Sequence, residues 1–411
     1  MKYRGFTTQA IHGPVMKTDT HHALQFPIYA GVAFDFESAE AMSDAFAGRR
    51  AAHVYSRISN PTVEAFEMKM AALENGLSAV AVSSGMAAIS TTLINCLQKG
   101  DSVIAASSLF GGTYSFLRNV LDALGIKSHF VPITDMRAVE KAIDENARVL
   151  LLETISNPGM IVPDFTAISD IARPHKVVVI ADSTVTTPYL FNAKKFGVDI
   201  VIHSTTKYIS GGATSVGGMI VDLGTFKWSS LPALANYHRF NEMAFTARLR
   251  KEVYRETGGC LSPHHAYLQS LGLETLALRM DRTCGNALAV AEFLETQSMV
   301  KTLRYPGLRS SSFYELSRKQ FNGRFGGILT FELPDKAASF RFLNNLSLVK
   351  RTPNLGDNKT LALHPASTIF AGFTDEERKS LGVGDSMIRL SIGIEEPEDI
   401  INDIQEALRG L

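Results

Sequence analysis

The chain has 411 residues, and its 41 lysines and arginines balance 41 aspartates and glutamates, so its formal net charge at pH 7 is zero. This balance argues against a general polyanion-binding protein, which needs a basic surface to contact phosphates. Because domains cluster at about 100–200 residues, the length predicts two domains and a tail. No apolar run approaches the roughly 18 residues of a membrane-spanning helix, and residues 1–13 lack the apolar centre of a signal peptide.

Residues 1–60 show little hydrophobic periodicity and are predicted to form an N-terminal arm. Asn60-Pro61 marks the end of this arm, because asparagine caps helices and proline fits their first turn. The apolar residues that follow recur on one helical face, at Val63, Phe66, Met70 and Leu73. A helix is therefore predicted to begin at Pro61.

From the end of this helix to about Leu223, short apolar runs alternate with amphipathic segments. The predicted strands are Ala79–Ser83, Val103–Ser107, Lys127–Val131, Val149–Glu153, Val177–Asp182, Asp199–His203 and Gly218–Asp222. Helical patterns fall between many of them, at Gly85–Leu97, Thr113–Leu124 and Phe165–Ala172. This alternation predicts an α/β fold with a mostly parallel seven-stranded sheet covered by helices on both faces. In such sheets ligands bind beyond the carboxyl ends of the strands.

Beyond about Pro263 the pattern changes to a long helical stretch at His264–Gln297, two strands at Gly327–Glu332 and Met387–Ile392, and a helix that ends at Leu408. These elements predict a second, smaller α/β domain. The predicted division of the chain is therefore an arm at 1–60, a large domain at 61–257 and a small C-terminal domain at 258–411.

The cysteines and histidines give no sign of a metal site. Cys96, Cys260 and Cys284 are too few and too scattered for a zinc site or a disulfide framework, so they are predicted to be reduced thiols of a cytoplasmic protein. Two adjacent histidines, such as His264 and His265, are more often surface or packing residues than a metal site.

Lys207 lies just after the apolar strand at Asp199–His203. Burying an ammonium group is costly, and burial lowers the pKa of the amine, which gives the neutral form that a Schiff base requires. The hydroxyls of Ser204 and Thr206 are close enough in sequence to hold a phosphate. A lysine that is simply exposed near a strand end is about as common, so the motif on its own leaves both readings open.

Two further segments follow predicted strands of the same sheet. Asp182 ends one strand, where it could keep an aromatic ring nitrogen protonated, although an isolated aspartate there is more often a helix cap or a loop anion. Gly85 and Met86 begin a helix directly after another strand, and free amides at such a point form a phosphate site. Taken alone, this second segment is only a helix start.

Two arginines could bind anions. Arg57, close to Tyr55, could contact a phosphate bidentately, although an exposed arginine is the default. Arg389 lies in the middle of a predicted strand, and a buried arginine needs a partner. A substrate carboxylate and a structural salt bridge are almost equally common partners. The order of these features along the chain is more specific than any one of them.

Over nearly its whole length the sequence resembles the Cys/Met-metabolism family of pyridoxal-phosphate enzymes. The matching segments, in chain order, are Tyr55-Ser-Arg57-x-x-Asn60-Pro61-Thr62, Ser84-Gly85-Met86, Gly111-Gly112-Thr113, Glu153-Thr-x-x-Asn157-Pro158, Ala181-Asp182, Ser204-x-Thr206-Lys207-Tyr208, His364-Pro365-Ala366-Ser367 and Arg389-Leu-Ser-x-Gly393. Within the family, Gly-Asp357-Asn-Lys359-Thr-Leu and Gly258-Gly-Cys260-Leu-Ser-Pro263 are most similar to O-acetylhomoserine sulfhydrylases.

The resemblance implies a fold-type I enzyme that holds pyridoxal 5'-phosphate on Lys207, with Asp182 at the ring nitrogen. The remaining cofactor-binding residues would be Phe110 at the ring, Gly85, Met86, Ser204 and Thr206 at the phosphate, and Tyr55 and Arg57 from a neighbouring subunit. The substrate-binding residues would be Asn157, Thr360 and Arg389. The resemblance further implies a homotetramer built from dimers that share active sites.

Two departures from the family pattern bear on the reaction. Phe110 stands where many members have a tyrosine, and a phenylalanine cannot protonate a leaving group. Lys359 stands where relatives that handle cystathionine commonly have a glutamate. Phe110 favours an enzyme that expels a carboxylate, which is already a stable anion, and the cation of Lys359 makes cystathionine a poorer fit.

The sequence therefore predicts replacement of the γ-acyloxy group of an acylated homoserine, chiefly O-acetylhomoserine, by sulfide or a small thiol, which gives homocysteine or methionine. A methionine or cystathionine γ-lyase and a cystathionine γ-synthase are the alternatives on the same scaffold. A non-catalytic protein that kept the fold is disfavoured by the joint presence of Lys207, Asp182 and Arg389. A nicotinamide-dependent dehydrogenase is disfavoured because no G-x-G-x-x-G follows the first predicted strand.

Overall fold

The computed structural model describes residues 4–14, 19 and 21–411. Its larger sheet contains seven strands, which are β1 (Ser78–Val82), β2 (Ser102–Ala106), β3 (Lys127–Val131), β4 (Ala147–Glu153), β5 (Val178–Asp182), β6 (Ile200–His203) and β7 (Gly218–Asp222). A second sheet contains β8 (Thr302–Arg304), β9 (Ile328–Glu332), β10 (Lys350–Arg351), β11 (Leu361–Leu363) and β12 (Met387–Ser391).

Helices surround and connect these strands. The α-helices are α1 (Phe6–His12), α2 (Ala39–Phe46), α3 (Pro61–Leu73), α4 (Gly85–Cys96), α5 (Gly111–Ser115), α6 (Met136–Lys141), α7 (Phe165–Ala172), α8 (Thr187–Leu190), α9 (Ala244–Arg248), α10 (Tyr254–Thr257), α11 (Pro263–Glu274), α12 (Leu276–Glu295), α13 (Tyr314–Gln320), α14 (Lys336–Asn345), α15 (Asp375–Ser380) and α16 (Pro397–Arg409). Two π-helical segments continue α5 and α9, at Phe116–Leu121 and Leu249–Val253.

The strand order of the larger sheet is β1-β7-β6-β5-β4-β2-β3. From β3 to β6 every neighbouring pair is parallel, whereas β7 runs antiparallel to both β6 and β1. Six strands therefore share one direction, so their carboxyl ends lie along one edge of the sheet. The β2, β6 and β7 strands are buried at every position, and side chains alternate between the two faces of a strand, so both faces of the sheet are covered.

The second sheet has the order β10-β11-β12-β9-β8 and is antiparallel apart from the β10–β11 pair. It packs with α14 and α16 around a core of its own, which begins at Ala287 inside α12. The predicted α/β fold, with a large seven-stranded sheet and a smaller C-terminal α/β part, is confirmed. The predicted boundaries at 60/61 and 257/258 stay predictions.

The helix α3 begins where the sequence indicates. The side-chain oxygen of Asn60 accepts hydrogen bonds from the amides of Thr62 (2.9 Å) and Val63 (3.4 Å), and Pro61 occupies the first turn. Such a cap satisfies amides that have no partner within the helix. The four apolar residues of the predicted face are all buried, at Val63, Phe66, Met70 and Leu73.

The structure differs from the prediction in two elements. The predicted arm contains α1 and α2, and Ala10 of α1 is buried; residues 1–3, 15–18 and 20 of the arm lie outside the described residues. The predicted stretch at 264–297 is divided at Thr275 into α11 and α12. Short helices and helix breaks leave little periodicity in a sequence, which is why the pattern did not reveal them.

Within the described part of the chain, no helix combines the length and apolar character needed to cross a bilayer.

Candidate active site

A cavity of about 310 Å³ lies at the carboxyl ends of the parallel strands, between the larger sheet and residues of the second sheet. Nine of the twelve predicted site residues line it, namely Gly85, Met86, Phe110, Asn157, Asp182, Ser204, Thr206, Lys207 and Arg389. The other lining residues are Ser84, Ile89, Glu153, Ile155, Thr184, Val185, Val216, Pro353, Leu355 and Ile369. The structure therefore brings together residues that lie as far apart as 85 and 389 in the sequence.

Lys207 projects into this cavity from the turn that follows β6. Its ammonium group donates a hydrogen bond to Oδ1 of Asn354 at 2.7 Å. Burial, and after it the nearby positive charge of Arg389, lower the pKa of Lys207 to about 8. Both causes favour the neutral amine, so a substantial fraction of this lysine is a nucleophile or base near neutral pH.

Asp182 ends β5 and also faces the cavity. Loss of hydration raises the pKa of its carboxyl group, and hydrogen bonds from Thr184, one of them from the backbone amide to Oδ1 at 3.0 Å, oppose that rise. A carboxylate in this position gains from a ligand that presents a cationic N–H group to it. The site therefore has a place for a protonated ring nitrogen.

The amino end of α4 forms another part of the wall. Ser84 caps this helix by accepting a hydrogen bond from the amide of Ala87 at 3.0 Å. A Cβ atom at Gly85 would lie 2.6 Å from Cβ of Ser204, so only glycine allows this close approach. The helix amides and the Ser204 hydroxyl consequently meet at one point, as in phosphate sites.

Thr206 lines the same region, but its hydroxyl is already used within the protein. It donates to the carbonyl of Gly217 (3.2 Å) and accepts from the amide of Gly217 (3.0 Å). These bonds hold the turn that carries Lys207 against the start of β7. In this arrangement Thr206 can reach a phosphate only if its hydroxyl proton turns away from Gly217.

Phe110 provides an aromatic wall directly before α5. Its backbone amide donates to Oε1 of Glu153 at 2.6 Å. A Cβ atom at Gly112 would lie 2.8 Å from the Phe110 ring and 3.3 Å from the sulfur of Met86, which shows how closely the three residues pack.

Arg389 lies at the opposite wall, in β12, and only 2% of it is exposed. One guanidinium nitrogen donates to Oδ1 of Asn157 (3.1 Å), and the other donates to the carbonyl of Asn354 (2.7 Å). Its Nε has no partner among the described residues. Burial lowers the pKa of Arg389 to about 10, which still leaves it cationic at neutral pH. A buried cation with an unused donor is suited to an anionic group of a ligand.

Three predicted residues do not reach the cavity. Tyr55 is 40% exposed, and Arg57 donates to the carbonyl of Arg255 at 2.5 Å. Thr360 is fully buried, and its hydroxyl donates to Glu395 (2.8 Å) and accepts from the amide of Gly393 (3.0 Å). Because these bonds occupy the hydroxyl, the geometry indicates a structural role for Thr360 within the second sheet.

Lys359 also lies apart from the cavity. About 67% of its side chain is exposed, and the nearest carboxylate oxygen, on Asp357, is 3.7 Å from its ammonium group. Lys359 is not one of the described residues that line this cavity, so it has no contact there by which it could disfavour a substrate such as cystathionine.

Two residues that the sequence did not single out are central to the site. Glu153 faces the cavity and accepts hydrogen bonds from the amides of Phe110 and Asn157, whereas Asn354 contacts both Lys207 and Arg389. Glu153 begins the family motif that contains Asn157, so the sequence could have identified it as a candidate site residue. Asn354 stands in a loop between two short strands, with no local pattern to mark it.

The histidine pair has an ordinary structural explanation. His264 is exposed, and the Nδ1–H of His265 donates to the carbonyl of Val216 at 3.0 Å. This bond and one from Gln269 to Ser215 (3.1 Å) attach α11 to the loop that precedes β7. Of the cysteines, Cys96 and Cys284 are buried and Cys260 is half-buried, and all three are free thiols.

Known proteins match the whole of this architecture. The family model for Cys/Met metabolism PLP-dependent enzymes matches residues 7–409. L-methionine gamma-lyase of Pseudomonas putida is 39% identical over 410 residues, which cover 99% of this chain and 98% of that protein. O-acetylhomoserine sulfhydrylase of Wolinella succinogenes is 45% identical, with a TM-score of 0.76, over 86% of this chain and 99% of that one.

A further solved structure bears on the lysine. A protein of Campylobacter jejuni described as an O-acetylhomoserine (thiol)-lyase is 34% identical and superposes with a TM-score of 0.93, over 99% of this chain and all of that one. It carries N'-pyridoxyl-lysine-5'-monophosphate. The present chain has groups that could bind the same cofactor. They are Lys207 with its lowered pKa, the buried carboxyl group of Asp182, and the free amides at the start of α4.

The residues of the cavity thus fit pyridoxal 5'-phosphate at each of its three ends. An aldehyde needs a neutral amine, a pyridine nitrogen needs a carboxylate, and a phosphate needs amide and hydroxyl donors. From the match over residues 7–409 and the relatives that share it, the chain belongs to the Cys/Met-metabolism family of PLP-dependent enzymes, whose members act in the metabolism of sulfur amino acids.

Proposed function

We propose that this enzyme replaces the γ-acyloxy group of an O-acylated homoserine, chiefly O-acetylhomoserine, with sulfide or a small thiol. The products are a carboxylic acid and homocysteine or, with methanethiol, methionine. The observation that carries the proposal is the ring of Phe110, which faces the cavity without a hydroxyl group. The 45% identity to an O-acetylhomoserine sulfhydrylase supports it.

The proposed cofactor contacts follow the three ends of the cavity. Lys207 would bond the aldehyde, Asp182 would hold the ring nitrogen, and Phe110 would lie against the ring face. The proposed phosphate donors are the amides of Gly85 and Met86 and the hydroxyls of Ser204 and Thr206. When bound, pyridoxal 5'-phosphate withdraws electron density from the substrate's α-carbon, so that protons at the α- and β-carbons become acidic.

The substrate carboxylate belongs at Arg389. Its unpartnered Nε and a second guanidinium N–H form the two parallel donors that a carboxylate accepts. Asn157, already bonded to Arg389, is held beside that position. Because Asn354 contacts both Arg389 and Lys207, a substrate carboxylate bound at Arg389 would bring the rest of the substrate close to Lys207.

Lys207 is the group proposed to move protons. Its neutral Nζ would accept the substrate's α-proton and later return a proton to the product. The side-chain Oδ1 of Asn354, 2.7 Å away, limits the directions in which that amine can point. A base held in one orientation within a partly dry cavity is typical of efficient proton transfer.

The leaving group decides between replacement and elimination. Acetate leaves as a stable anion without an acid to protonate it, whereas a thiolate is more basic and benefits from one. The lining around Phe110 is also apolar, with Ile89, Val185 and Leu355 close by. Such a wall excludes water and so favours capture of the unsaturated substrate by a sulfur nucleophile.

A homotetramer whose dimers share active sites is part of the proposal. Tyr55 and Arg57 do not line the cavity of their own chain, which fits a contribution to a neighbour's phosphate site. The segment before them also exposes large apolar side chains, including Leu24 (99%), Val32 (55%) and Phe46 (57%). We propose that a neighbouring subunit covers these side chains.

The test is to incubate the holoenzyme with O-acetylhomoserine and sulfide and to measure both homocysteine and 2-oxobutanoate. We expect homocysteine as the main product. In separate incubations with methionine or cystathionine, we expect little 2-oxobutanoate. If 2-oxobutanoate and ammonia are the main products, the enzyme is a γ-lyase, the alternative that the relative from Pseudomonas putida supports.

Phe110→Tyr is the matched variant for this test. It restores the hydroxyl while keeping the aromatic wall, so we expect elimination from methionine to increase, by about 10-fold or more, because general acid catalysis contributes about 10²–10⁴-fold. The rate with O-acetylhomoserine and sulfide should change little. An equal change with both substrates would remove the argument drawn from Phe110.

A pH profile tests the lowered pKa of Lys207. Because only the neutral amine attacks an aldehyde, we expect the rate at which the apoenzyme takes up pyridoxal 5'-phosphate to rise with pH and level off above about pH 8. With an unperturbed lysine, this uptake rate would keep rising to about pH 10.4. Stopped-flow absorbance measures this rate. In Arg389→Leu the rise should move to higher pH, since the charge of Arg389 contributes to the lowering.

A further inference from the structure

Glu153 is a buried carboxylate at the very end of β4, 8% exposed, with its side chain against the cavity. Its two oxygens serve two different segments of the chain. Oε1 accepts a hydrogen bond from the amide of Phe110 at 2.6 Å, and Oε2 accepts one from the amide of Asn157 at 3.0 Å. One side chain thus joins the loop after β2 to the loop after β4.

Each of these segments carries one wall of the active site. The Phe110 amide belongs to the residue whose ring lines the cavity, so fixing that amide fixes the start of α5 and the plane of the ring. The Asn157 amide belongs to the residue whose side-chain oxygen accepts from Arg389 at 3.1 Å. The carboxylate therefore sets the separation between the aromatic wall and the carboxylate-binding group.

This link needs both oxygens of a carboxyl group as acceptors. Both donors are backbone N–H groups, so the side chain must offer two acceptor oxygens. Glutamine offers one acceptor, and its NH₂ group would face an N–H donor on the other side. Aspartate has both oxygens, but its side chain is one methylene shorter and cannot keep both bonds from the same backbone position.

A second carboxyl group on the neighbouring strand makes a buried glutamate at this position energetically unfavourable. Glu153 and Asp182 are direct partners in the β4–β5 register, so two carboxyl groups stand side by side. Burial, followed by the charge of Asp182, raises the pKa of Glu153 to about 8, and the two amide donors oppose that rise. A second carboxylate beside the one proposed to hold the ring nitrogen is a cost that needs a compensating role.

We propose that Glu153 is a positioning residue that holds Phe110 and Asn157 at a fixed separation and thereby sets the tilt of the bound cofactor ring and the site of the substrate carboxylate. It does not itself touch the reacting atoms. The inference rests on the proposed function only for the substrate-side role of Asn157. Its effect on the cofactor holds for any reaction of this enzyme.

The test compares Glu153→Gln with Asp199→Asn. Asp199 is also a buried carboxylate whose oxygens accept two bonds, from the amide of Val179 (3.0 Å) and the hydroxyl of Thr225 (2.8 Å). It lies at the opposite edge of the same sheet, before β6. Both variants therefore remove the same kind of charge and bond, but only one does so at the cavity.

Three readouts separate positioning from general structural support. In Glu153→Gln we expect the visible circular dichroism of the bound cofactor to change and its dissociation constant to rise about 10-fold or more. KM for the amino-acid substrate should rise about 10- to 100-fold, because one buried amide loses its acceptor. In Asp199→Asn we expect a lower melting temperature while all three quantities stay within about 2-fold of the wild type. Matching behaviour of the two variants overturns the proposal.

Glu153→Asp keeps the proposal testable if the glutamine variant does not fold. It retains the charge and both acceptors, so it should fold, but it can keep only one of the two bonds. We expect an altered dichroism signal and a raised KM. Wild-type values in this variant would show that the double contact is unnecessary. A changed dichroism signal together with an absence of homocysteine formation in the wild type would leave the positioning role intact and overturn the proposed function instead.

Discussion

Replacement of Lys207 by alanine is expected to abolish turnover, with kcat lowered by about 10³-fold or more. The change removes both the covalent attachment of the cofactor and the base that moves the substrate's protons, and the second loss alone is typically worth about 10²–10⁴-fold. Steady-state assays with O-acetylhomoserine and sulfide measure the effect. The fold should be preserved, since among the described residues the amine makes one hydrogen bond, to Asn354.

Borohydride provides the direct chemical check. Treatment of the wild-type holoenzyme should discharge its yellow colour and add the mass of the reduced cofactor to the peptide that contains Lys207. Lys359→Ala, which removes an exposed lysine, serves as the matched control and should behave as the wild type. Labelling of another lysine, or an unchanged rate in Lys207→Ala, would contradict the assignment of this residue.

The second large effect is expected from Arg389→Leu, which should lower kcat/KM for the amino-acid substrate by about 10²- to 10³-fold. Removing one partner of a buried, hydrogen-bonded charge pair costs about 2–5 kcal/mol, and each 1.36 kcal/mol corresponds to a factor of ten. We expect most of the loss to appear in KM. Arg389→Lys keeps the charge without the paired donors, so its kcat/KM should lie between those of the wild type and Arg389→Leu.

A substrate without a carboxylate isolates this interaction. 3-Aminopropyl acetate keeps the amine and the acetyl ester of O-acetylhomoserine but lacks the α-carboxylate. The wild type should use it poorly, and Arg389→Leu should impose no further loss on it. Arg248→Leu, which removes an arginine that donates to the Asn95 carbonyl away from the cavity, is the control. An equal penalty with both substrates would show that Arg389 acts through the fold.

Together these variants address a site whose two ends come from different sheets. Lys207 follows a strand of the larger sheet and Arg389 lies within the second one, and Asn354 contacts both of them. A shift of one sheet relative to the other would therefore change the separation of the base from the carboxylate-binding group. Glu153 acts on the same separation through Asn157, whose side chain accepts from Arg389, so Glu153→Gln is expected to affect KM without touching the substrate.

Much of the fold could be predicted because its signals are local. The Asn60-Pro61 cap, the apolar face of α3 and the buried strands are each defined by residues that are close in sequence. The two helices of the N-terminal arm and the break at Thr275 were missed for the complementary reason. Their formation depends on packing against distant elements, such as α1 on α3 and α11, rather than on their own periodicity.

The candidate site divides in the same way. Phe110, Asp182 and Lys207 were identified from strand ends and from the resemblance to a family, and the structure places all three in the cavity. Thr360 was also expected at the substrate, yet its hydroxyl bonds to Glu395 and Gly393. A motif gives the position of a side chain along the chain, but not the direction in which it points.

By itself, the sequence determined the α/β fold and the cofactor, because these follow from short-range patterns and a motif order that spans the chain. The tertiary structure alone decided which groups meet. The bonds from Lys207 to Asn354 and from Arg389 to Asn157 join residues 147 and 232 positions apart, respectively. Contacts over such separations are set by how the two sheets pack, and no local pattern of residues encodes that packing.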